Sequence, residues 1–157
     1  MIGFVSWDAT LAADLIRARR QLPGATLPIL HALQDTFGYV DDQAIPLIAD
    51  ALNISRAEVV GVIHFYHDFR QQPPGRHILR LCRAEACQSM DCDSLAGHVR
   101  ERLGVDFGET TADGAVTLEA VYCLGNCALS PAAMLDGRLI GRVDPARAEQ
   151  LLAEAQA

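Results

Sequence analysis

The chain has 157 residues, 50% of them hydrophobic, and a formal net charge of −7. This length allows one domain or two small ones, and the apolar content is typical of a packed core rather than of disorder. The negative charge disfavours a nucleic-acid partner, and no apolar run or leader pattern predicts membrane insertion or a signal peptide, so we expect a cytoplasmic protein.

Residues 1–72 are predicted to be entirely helical. We expect Gly38 to end the second helix and Asp41 or Asp42 to cap the third. Ser55 and Glu58 are expected to form a capping box at the start of the fourth helix. Four apolar patterns at helical spacing predict the buried faces of these helices: Leu11, Leu15 and Ile16; Leu27, Leu30, Leu33 and Phe37; Ile45, Ile48 and Leu52; Val59, Val62, Ile63 and Tyr66.

The end of this region also contains clustered aromatic and histidine side chains. Phe65, Tyr66 and Phe69 are expected to belong to the core. His64 and His67 lie three residues apart, but no third ligand is near in the sequence. We therefore interpret them as interface or packing residues rather than metal ligands.

Pro73, Pro74 and Gly75 interrupt the helical pattern, which predicts domains at 1–72 and 73–157. The second domain begins with a short apolar strand at 77–82 and a helix at 88–103. A second strand follows Asp113-Gly114, with Val116, Leu118, Ala120 and Tyr122 on one face.

A hairpin turning at Asp136-Gly137 and a final helix capped by Asp144, with Pro145 first, complete the chain. The order predicts an α/β fold: an N-terminal helical bundle followed by a thioredoxin-like domain.

Five cysteines are the most informative residues of the sequence: Cys82, Cys87, Cys92, Cys123 and Cys127. An odd number without a secretion signal is a poor disulfide framework, so metal binding or redox chemistry is favoured. The absence of a C-x-x-C motif argues against a thioredoxin-type dithiol.

Four of these cysteines form two similar pairs, Cys82-x4-Cys87 and Cys123-x3-Cys127, each beginning at the end of a predicted strand. Strand ends on one edge of a sheet converge, and four thiolates fit a 2Fe-2S cluster. Gly125 would let the second loop bend so that backbone N–H groups approach sulfur, and a helix after Cys87 would direct its positive end at the site. A four-cysteine zinc site and buried cysteines without a ligand remain alternatives.

Cys92 is the remaining cysteine. The Cys87-x4-Cys92 spacing repeats that of the first pair, so spacing alone does not exclude it as a ligand. Its predicted place in the first turns of a helix, without a counterpart in the second loop, favours a role other than ligation.

The stretch "GVIHFYHDFRQQPPGRHILRLC", followed by Cys87 and by "CLGNCALSP", resembles one family. It is similar to the small thioredoxin-like 2Fe-2S subunit of NADH:quinone oxidoreductase (complex I) and its relatives in NAD-linked hydrogenases and formate dehydrogenases. The resemblance covers nearly the whole chain from "LPILHALQDTFGYV" onward. It assigns the ligand role to Cys82, Cys87, Cys123 and Cys127.

The resemblance implies an electron carrier without a catalytic residue of its own, beside a partner subunit that holds FMN and the NAD site. The chain itself has neither a G-x-G-x-x-G motif after a strand nor a P-loop. Within the family, "LCRAEACQSM" looks most like the gamma subunit of NAD-dependent formate dehydrogenase. That subunit usually has Gly in place of Asp91, and its complex includes a molybdenum-containing formate-oxidising subunit. Complex I and NAD-linked hydrogenase are the alternatives, and a standalone zinc-binding or thioredoxin-like interaction module is the alternative of another class.

Two further expectations concern single regions. The helical half contains no cluster ligand and is expected to dock the flavin subunit. Thioredoxin-like folds commonly have a cis-proline facing the redox site, which makes a cis Ser130–Pro131 bond the alternative to the commoner trans form. In either isomer the Pro131 ring is expected to cover one side of the site.

Overall fold

The computed structural model describes residues 3–156, within which seven α-helices and four β-strands form two compact units, 3–73 and 74–156. Each unit has a hydrophobic core of its own. No helix in this described range is long and apolar enough to cross a bilayer.

The first unit consists of four helices: α1 (Ala9–Arg19), α2 (Thr26–Phe37), α3 (Ala44–Leu52) and α4 (Arg56–Phe65). Each helix has residues at helical spacing in one shared core, which is the usual way in which amphipathic helices are stabilised. The core residues of this unit include Ile16, Ile29, Leu33, Ile48 and Val59.

The ends of these helices follow local rules with one exception. Gly38 adopts a left-handed conformation (φ 85°) and ends α2, and Ser55 and Glu58 form the predicted capping box of α4. The prediction that Asp41 or Asp42 caps α3 is wrong, because the capping position is occupied by Gln43. The Asp41 carboxylate instead accepts hydrogen bonds from the Gln43 N–H and, outside the helix, from the Tyr39 hydroxyl.

The aromatic side chains at the end of α4 are not the core cluster that the sequence predicts. Phe69 is buried, but Phe65 is 75% exposed and Tyr66 is 42% exposed. The Tyr66 ring contacts the Phe65 ring and the Phe69 ring, in both cases in an edge-to-face arrangement. The expectation that Phe65 and Tyr66 are buried is therefore wrong.

The second unit is built on a mixed sheet with strand order β2-β1-β3-β4. Its strands are β1 (His77–Cys82), β2 (Val116–Val121), β3 (Ala133–Leu135) and β4 (Arg138–Ile140). β1 and β2 are parallel, whereas β3 pairs antiparallel with both β1 and β4. The predicted hairpin is confirmed, with Asp136 (φ 51°) and Gly137 (φ 84°) both in the left-handed region that a type I′ turn requires.

Three helices accompany this sheet: α5 (Glu85–Gln88), α6 (Cys92–Leu103) and α7 (Pro145–Gln156). α6 and α7 pack through Leu95, Val99 and Leu151 into one core with strand residues such as Leu79 and Leu118. As predicted, the Asp144 carboxylate caps α7 by accepting a hydrogen bond from the Arg147 N–H. Tyr122 lies beyond the end of β2 and is 77% exposed, so its predicted place on one face of the strand with Val116 and Leu118 is wrong.

The helix predicted at 88–103 is interrupted near its start. Gln88 ends the short helix α5, and α6 begins only at Cys92, because Asp91 adopts a left-handed conformation (φ 60°, ψ 38°) that cannot continue a right-handed helix. Glycine adopts this conformation without strain and aspartate is one of the residues that tolerate it. The backbone at position 91 would therefore also accept the glycine that the resemblance to formate dehydrogenase leads us to expect.

Candidate metal centre at the sheet edge

The parallel pairing of β1 and β2 brings the two cysteine motifs to one edge of the sheet. Cys82 is the last residue of β1 and pairs with Val121, the last residue of β2. Cys123 lies two residues after Val121. The pairing extends one step beyond Cys82, because the Arg83 N–H donates a hydrogen bond to the Val121 carbonyl (2.8 Å). Convergence of the two strand ends, on which the site prediction depends, is therefore observed.

Cys82 and Cys87 form the buried half of the site, with 3% and 2% of their surface exposed. Cys87 lies in α5, where its N–H donates to the Ala84 carbonyl. The two thiols pack with Cys92 and Ala132 in a small core of their own. This pair is therefore held on regular structure and shielded from water.

Cys123 and Cys127 form the exposed half of the site. Their Sγ atoms are 3.6 Å apart. Two sulfurs bound to one tetrahedral ion at the zinc–sulfur distance of about 2.3 Å would lie roughly 3.8 Å apart, so this spacing fits two ligands of a single metal atom. The loop between β2 and β3 thus presents two thiols at a spacing that suits one metal atom.

The two pairs lie close enough for their charges to interact. The pKa of the Cys127 thiol is raised, chiefly by its hydrogen bond to Cys123 and the charge of that residue, with smaller effects from burial and from the charges of Cys87 and Cys82. Within residues 3–156, however, no three His, Cys, Asp or Glu side chains are arranged to hold one ion. Two separate pairs of thiols are the donor set that a 2Fe-2S cluster requires, since each of its two irons takes two cysteine ligands.

Backbone amides of the 123–125 loop approach the sulfurs. Cys123 has a strained backbone with φ 109°, and Gly125 has φ 74°. The Gly125 N–H donates to the Cys123 Sγ atom (3.3 Å). Successive amides turned toward one point form an anion-binding concavity of the kind found at Fe–S sites. The expected role of Gly125 in bending the loop is thereby confirmed.

The same amides act on Cys82. Burial is the largest single influence on the pKa of the Cys82 thiol and raises it. The hydrogen bonds from the Ala84 N–H, from Cys87 and from the Leu124 and Cys123 N–H groups together outweigh burial and lower the pKa. Hydrogen bonds to the charged form favour the thiolate, which is the state that binds metal.

Cys92 is the first residue of α6 and is 3% exposed. Burial raises the pKa of its thiol, and the charges of Asp93 and Cys87 raise it further. The structure places Cys92 in the same small core as Cys82 and Cys87. Its exclusion from the ligand set therefore stays a prediction that substitution must test.

The helix expected to direct its positive end at the site is not arranged as predicted. Cys87 lies inside α5, which is only four residues long, and the longer helix α6 starts five residues further along the chain. Hydrogen bonding by individual amides, rather than a helix terminus, is therefore the observed influence on the sulfurs.

The arginines near the site are occupied by other partners. The Arg80 guanidinium donates to the Glu119 carboxylate (2.8 Å), and Arg83 donates to the Asp93 carboxylate (2.8 Å) while it also lies over the Phe107 ring (5.3 Å). Both guanidinium charges are therefore paired with carboxylates.

Ser130 is a site residue that sequence reasoning missed. Its Oγ atom is 3.5 Å from the Cys87 Sγ atom and donates a hydrogen bond to the Cys127 carbonyl (2.8 Å). One side chain therefore contacts both halves of the site. The following Ser130–Pro131 peptide bond is cis. In the sequence, Ser130 is recognisable only as a serine that lies three residues after Cys127 and precedes a proline. This pattern is too common to predict a site residue.

Replacement of Ser130 by alanine is expected to loosen the exposed half of the site. Loss of the bond to the Cys127 carbonyl should destabilise the loop by about 1 kcal/mol and speed the loss of any bound cluster in air. Decay of the visible absorption under air measures this effect. Ser89→Ala is a matched control, because the Ser89 hydroxyl makes the same type of bond to the carbonyl three residues back (2.9 Å) but lies outside the site. Equal decay in both variants would contradict a specific role for Ser130.

Comparison with known proteins identifies a family of 2Fe-2S proteins. The family described as thioredoxin-like 2Fe-2S ferredoxin matches residues 12–156. The chain is 41% identical to an NADH-quinone oxidoreductase subunit of Pseudomonas aeruginosa over 82% of this chain and 77% of the relative. It is 32% identical to the HndA subunit of the NADP-reducing hydrogenase of Solidesulfovibrio fructosivorans over 90% of this chain and 82% of the relative.

Among solved structures, an air-oxidised NAD⁺-reducing NiFe-hydrogenase is similar, with a TM-score of 0.72 and 28% sequence identity. The match covers 88% of this chain but only 24% of the hydrogenase chain. This chain therefore corresponds to about a quarter of that hydrogenase chain.

Proposed function

Because this chain belongs to the thioredoxin-like 2Fe-2S ferredoxin family and binds a 2Fe-2S cluster, we propose that it transfers single electrons within a larger NAD(P)-linked oxidoreductase. The observation that supports this most directly is the pair of cysteine pairs at one sheet edge, with an Sγ–Sγ distance of 3.6 Å in the exposed pair. When bound, the cluster supplies one-electron redox chemistry.

Each part of the site has a separate task in this proposal. Cys82 and Cys87 hold the cluster on the buried side, and Cys123 and Cys127 hold it on the exposed side. The amides of the 123–125 loop stabilise the sulfur charge. The exposed side chains next to this half are Tyr122 (77%), Leu129 (40%) and Met90 (56%). They provide an apolar rim through which a partner can approach and exclude water.

The partner in this proposal is a subunit that holds FMN and the NAD site. A flavin is required because NAD exchanges a hydride whereas a 2Fe-2S cluster exchanges one electron. The relatives favour a complex I-type enzyme or an NAD-linked hydrogenase, as their names state. Cytoplasmic location stays a prediction from the sequence.

NAD-dependent formate dehydrogenase is the second candidate for the parent complex, with a molybdenum-containing formate-oxidising subunit as a more distant partner. The "LCRAEACQSM" segment suggests it, whereas Asp91 departs from the pattern of that subfamily. The backbone of Asp91 is left-handed (φ 60°). A glycine, which that subfamily usually has there, would fit the same backbone. Identification of the subunits that co-purify with the chain from its own cells distinguishes the three complexes.

The cluster itself is tested on the full chain, purified without oxygen. We expect about two irons and two sulfides per chain, a red-brown colour and an EPR signal from the reduced protein. Zinc in a colourless protein would overturn the proposal and favour the interaction module. Reduction of the cluster by NADH only after addition of the flavin subunit would support the carrier role.

We also propose that the helical unit docks the flavin subunit through an aromatic patch formed by Phe65 and Tyr66. Exposed aromatic side chains are enriched at the centres of protein interfaces and cost free energy in water. Both rings are exposed on α4 and at its end, and Phe65 is the more exposed of the two.

Replacement of Phe65 by serine is expected to weaken binding of the flavin subunit at least tenfold, while the cluster content stays unchanged. Removal of a buried interface aromatic typically costs more than about 1.4 kcal/mol, which corresponds to a factor of ten. Calorimetric titration measures the dissociation constant. Leu22→Ser removes another exposed apolar side chain (48%) of the same unit and is the matched control. Undiminished binding by Phe65→Ser would refute the docking role.

A further inference from the structure

The two halves of the cysteine site differ in their accessibility to small oxidants. Cys123 and Cys127 are exposed free thiols, whereas Cys82, Cys87 and Cys92 are at most 3% exposed. Thiol–disulfide exchange requires an accessible sulfur, because the attacking and attacked sulfurs must line up with the leaving group. A disulfide reagent in solution can therefore reach the exposed pair and not the three buried thiols.

The exposed pair is also placed for closure into a disulfide. The Sγ atoms of Cys123 and Cys127 are 3.6 Å apart, so bond formation at about 2.05 Å needs an approach of only about 1.6 Å. The intervening loop contains Gly125 at φ 74°, and no atom outside its immediate neighbours lies within 4 Å of a Cβ built there. The loop therefore has room to adjust at Gly125 as the sulfurs approach.

We propose that, in the cluster-free chain, Cys123 and Cys127 form a thiol–disulfide exchange site that reacts with small disulfides such as glutathione disulfide. One protein thiolate attacks a sulfur of glutathione disulfide, forms a mixed disulfide and releases one glutathione thiolate. The second protein thiolate then attacks the mixed disulfide, forms the Cys123–Cys127 bond and releases the second glutathione. Two electrons pass from the two protein sulfurs to glutathione, and the two cysteine protons go to the two glutathione thiolates.

The consequence for cluster insertion depends on the proposed function. A Cys123–Cys127 disulfide removes two of the four thiolates, whereas the buried pair keeps its thiols. Cluster insertion would then require prior reduction of one surface-accessible bond, and an oxidising pulse would stop assembly without damaging the buried ligands. The site thus makes assembly sensitive to the thiol–disulfide balance of its surroundings.

The exchange reaction is tested on the full chain after removal of iron with a chelator and complete reduction. The chain is incubated with glutathione disulfide, its free thiols are alkylated, and the peptides are mapped by mass spectrometry. We expect free thiols to fall from five to three per chain, with one disulfide joining Cys123 to Cys127. Retention of all five thiols, or a disulfide that includes Cys82, Cys87 or Cys92, would overturn the proposal.

Two variants sharpen this result. Cys92→Ser should form the same disulfide, which shows that the buried extra thiol takes no part. Cys127→Ser should stop at a mixed disulfide between Cys123 and glutathione. A Cys123 that stays unmodified in Cys127→Ser would contradict the accessibility on which the reaction depends.

Iron and sulfide are then added to the oxidised chain and to a portion that has been reduced again. Cluster formation in the reduced portion only, followed by visible absorption and EPR, supports both the exchange site and the proposed function. A mapped Cys123–Cys127 disulfide with no cluster in either portion contradicts the proposed function alone. Equal cluster formation in both portions contradicts the proposed control of assembly.

Discussion

Serine in place of Cys82, Cys87, Cys123 or Cys127, one at a time, is expected to abolish or strongly reduce cluster retention. The hydroxyl is nearly the size of the thiol but is a much poorer ligand for Fe–S clusters, which select soft thiolates. Iron and sulfide analysis with EPR of the reduced protein measures the loss. Circular dichroism of each variant shows whether the fold is retained.

Cys92→Ser is the matched control for this series. It removes a thiol of equal burial from the same small core as Cys82 and Cys87, but the proposed ligand set does not include it. We expect near-normal iron content. Full cluster loss in Cys92→Ser would make Cys92 a ligand, and normal iron in any of the other four variants would remove that residue from the set.

The second large effect is expected at Gly141, which follows β4 and approaches the cysteine loop closely. A Cβ atom at Gly141 would lie 2.6 Å from the Leu129 Cβ, 2.8 Å from the Asn126 Nδ2 and 3.0 Å from the Leu129 carbonyl oxygen. The next residue fixes this approach, because the Arg142 N–H donates to the same carbonyl (2.6 Å). Cys127 lies between the two crowded residues.

Gly141→Ala should therefore displace the segment that contains Cys127. We expect a loss of about 1–3 kcal/mol in the free energy of unfolding, typical of overpacking, together with reduced cluster retention. Urea unfolding and iron analysis measure the two effects. Gly97→Ala is the control, since Gly97 lies in α6 with nothing within 4 Å of an added Cβ. That change should stabilise the chain by about 0.5–1 kcal/mol. Similar behaviour of the two variants would refute the crowding.

The features that sequence reasoning predicted correctly are set by local chemistry. Asp136-Gly137 specifies a tight hairpin, Ser55 and Glu58 a helix start, and Asp144 before Pro145 another. The convergence of the cysteine pairs was predictable for a related reason. Two motifs that follow parallel neighbouring strands must meet at one edge, whatever the details of the loops between them.

The features that it missed depend on tertiary contacts. The break before α6 arises from the left-handed conformation of Asp91. A glycine at this position would have predicted such a conformation, whereas an aspartate does not. Helical spacing placed Tyr66 on an apolar face, but spacing does not show where the unit ends and solvent begins. The contact of Ser130 with Cys87 joins residues far apart in sequence and could be found only in the folded chain.

The parallel pairing of β1 with β2 has a thermodynamic consequence. It brings together two cysteine pairs that are separated by about 40 residues of chain. In the chain-entropy model, closing a loop of that length in an unfolded chain costs about 4 kcal/mol. The folded chain is thus preorganised, with an affinity for the cluster about a thousandfold higher than that of a disordered chain with the same four cysteines. By linkage the bound cluster stabilises the fold by the same free energy, so loss of the cluster and unfolding of the sheet should each promote the other.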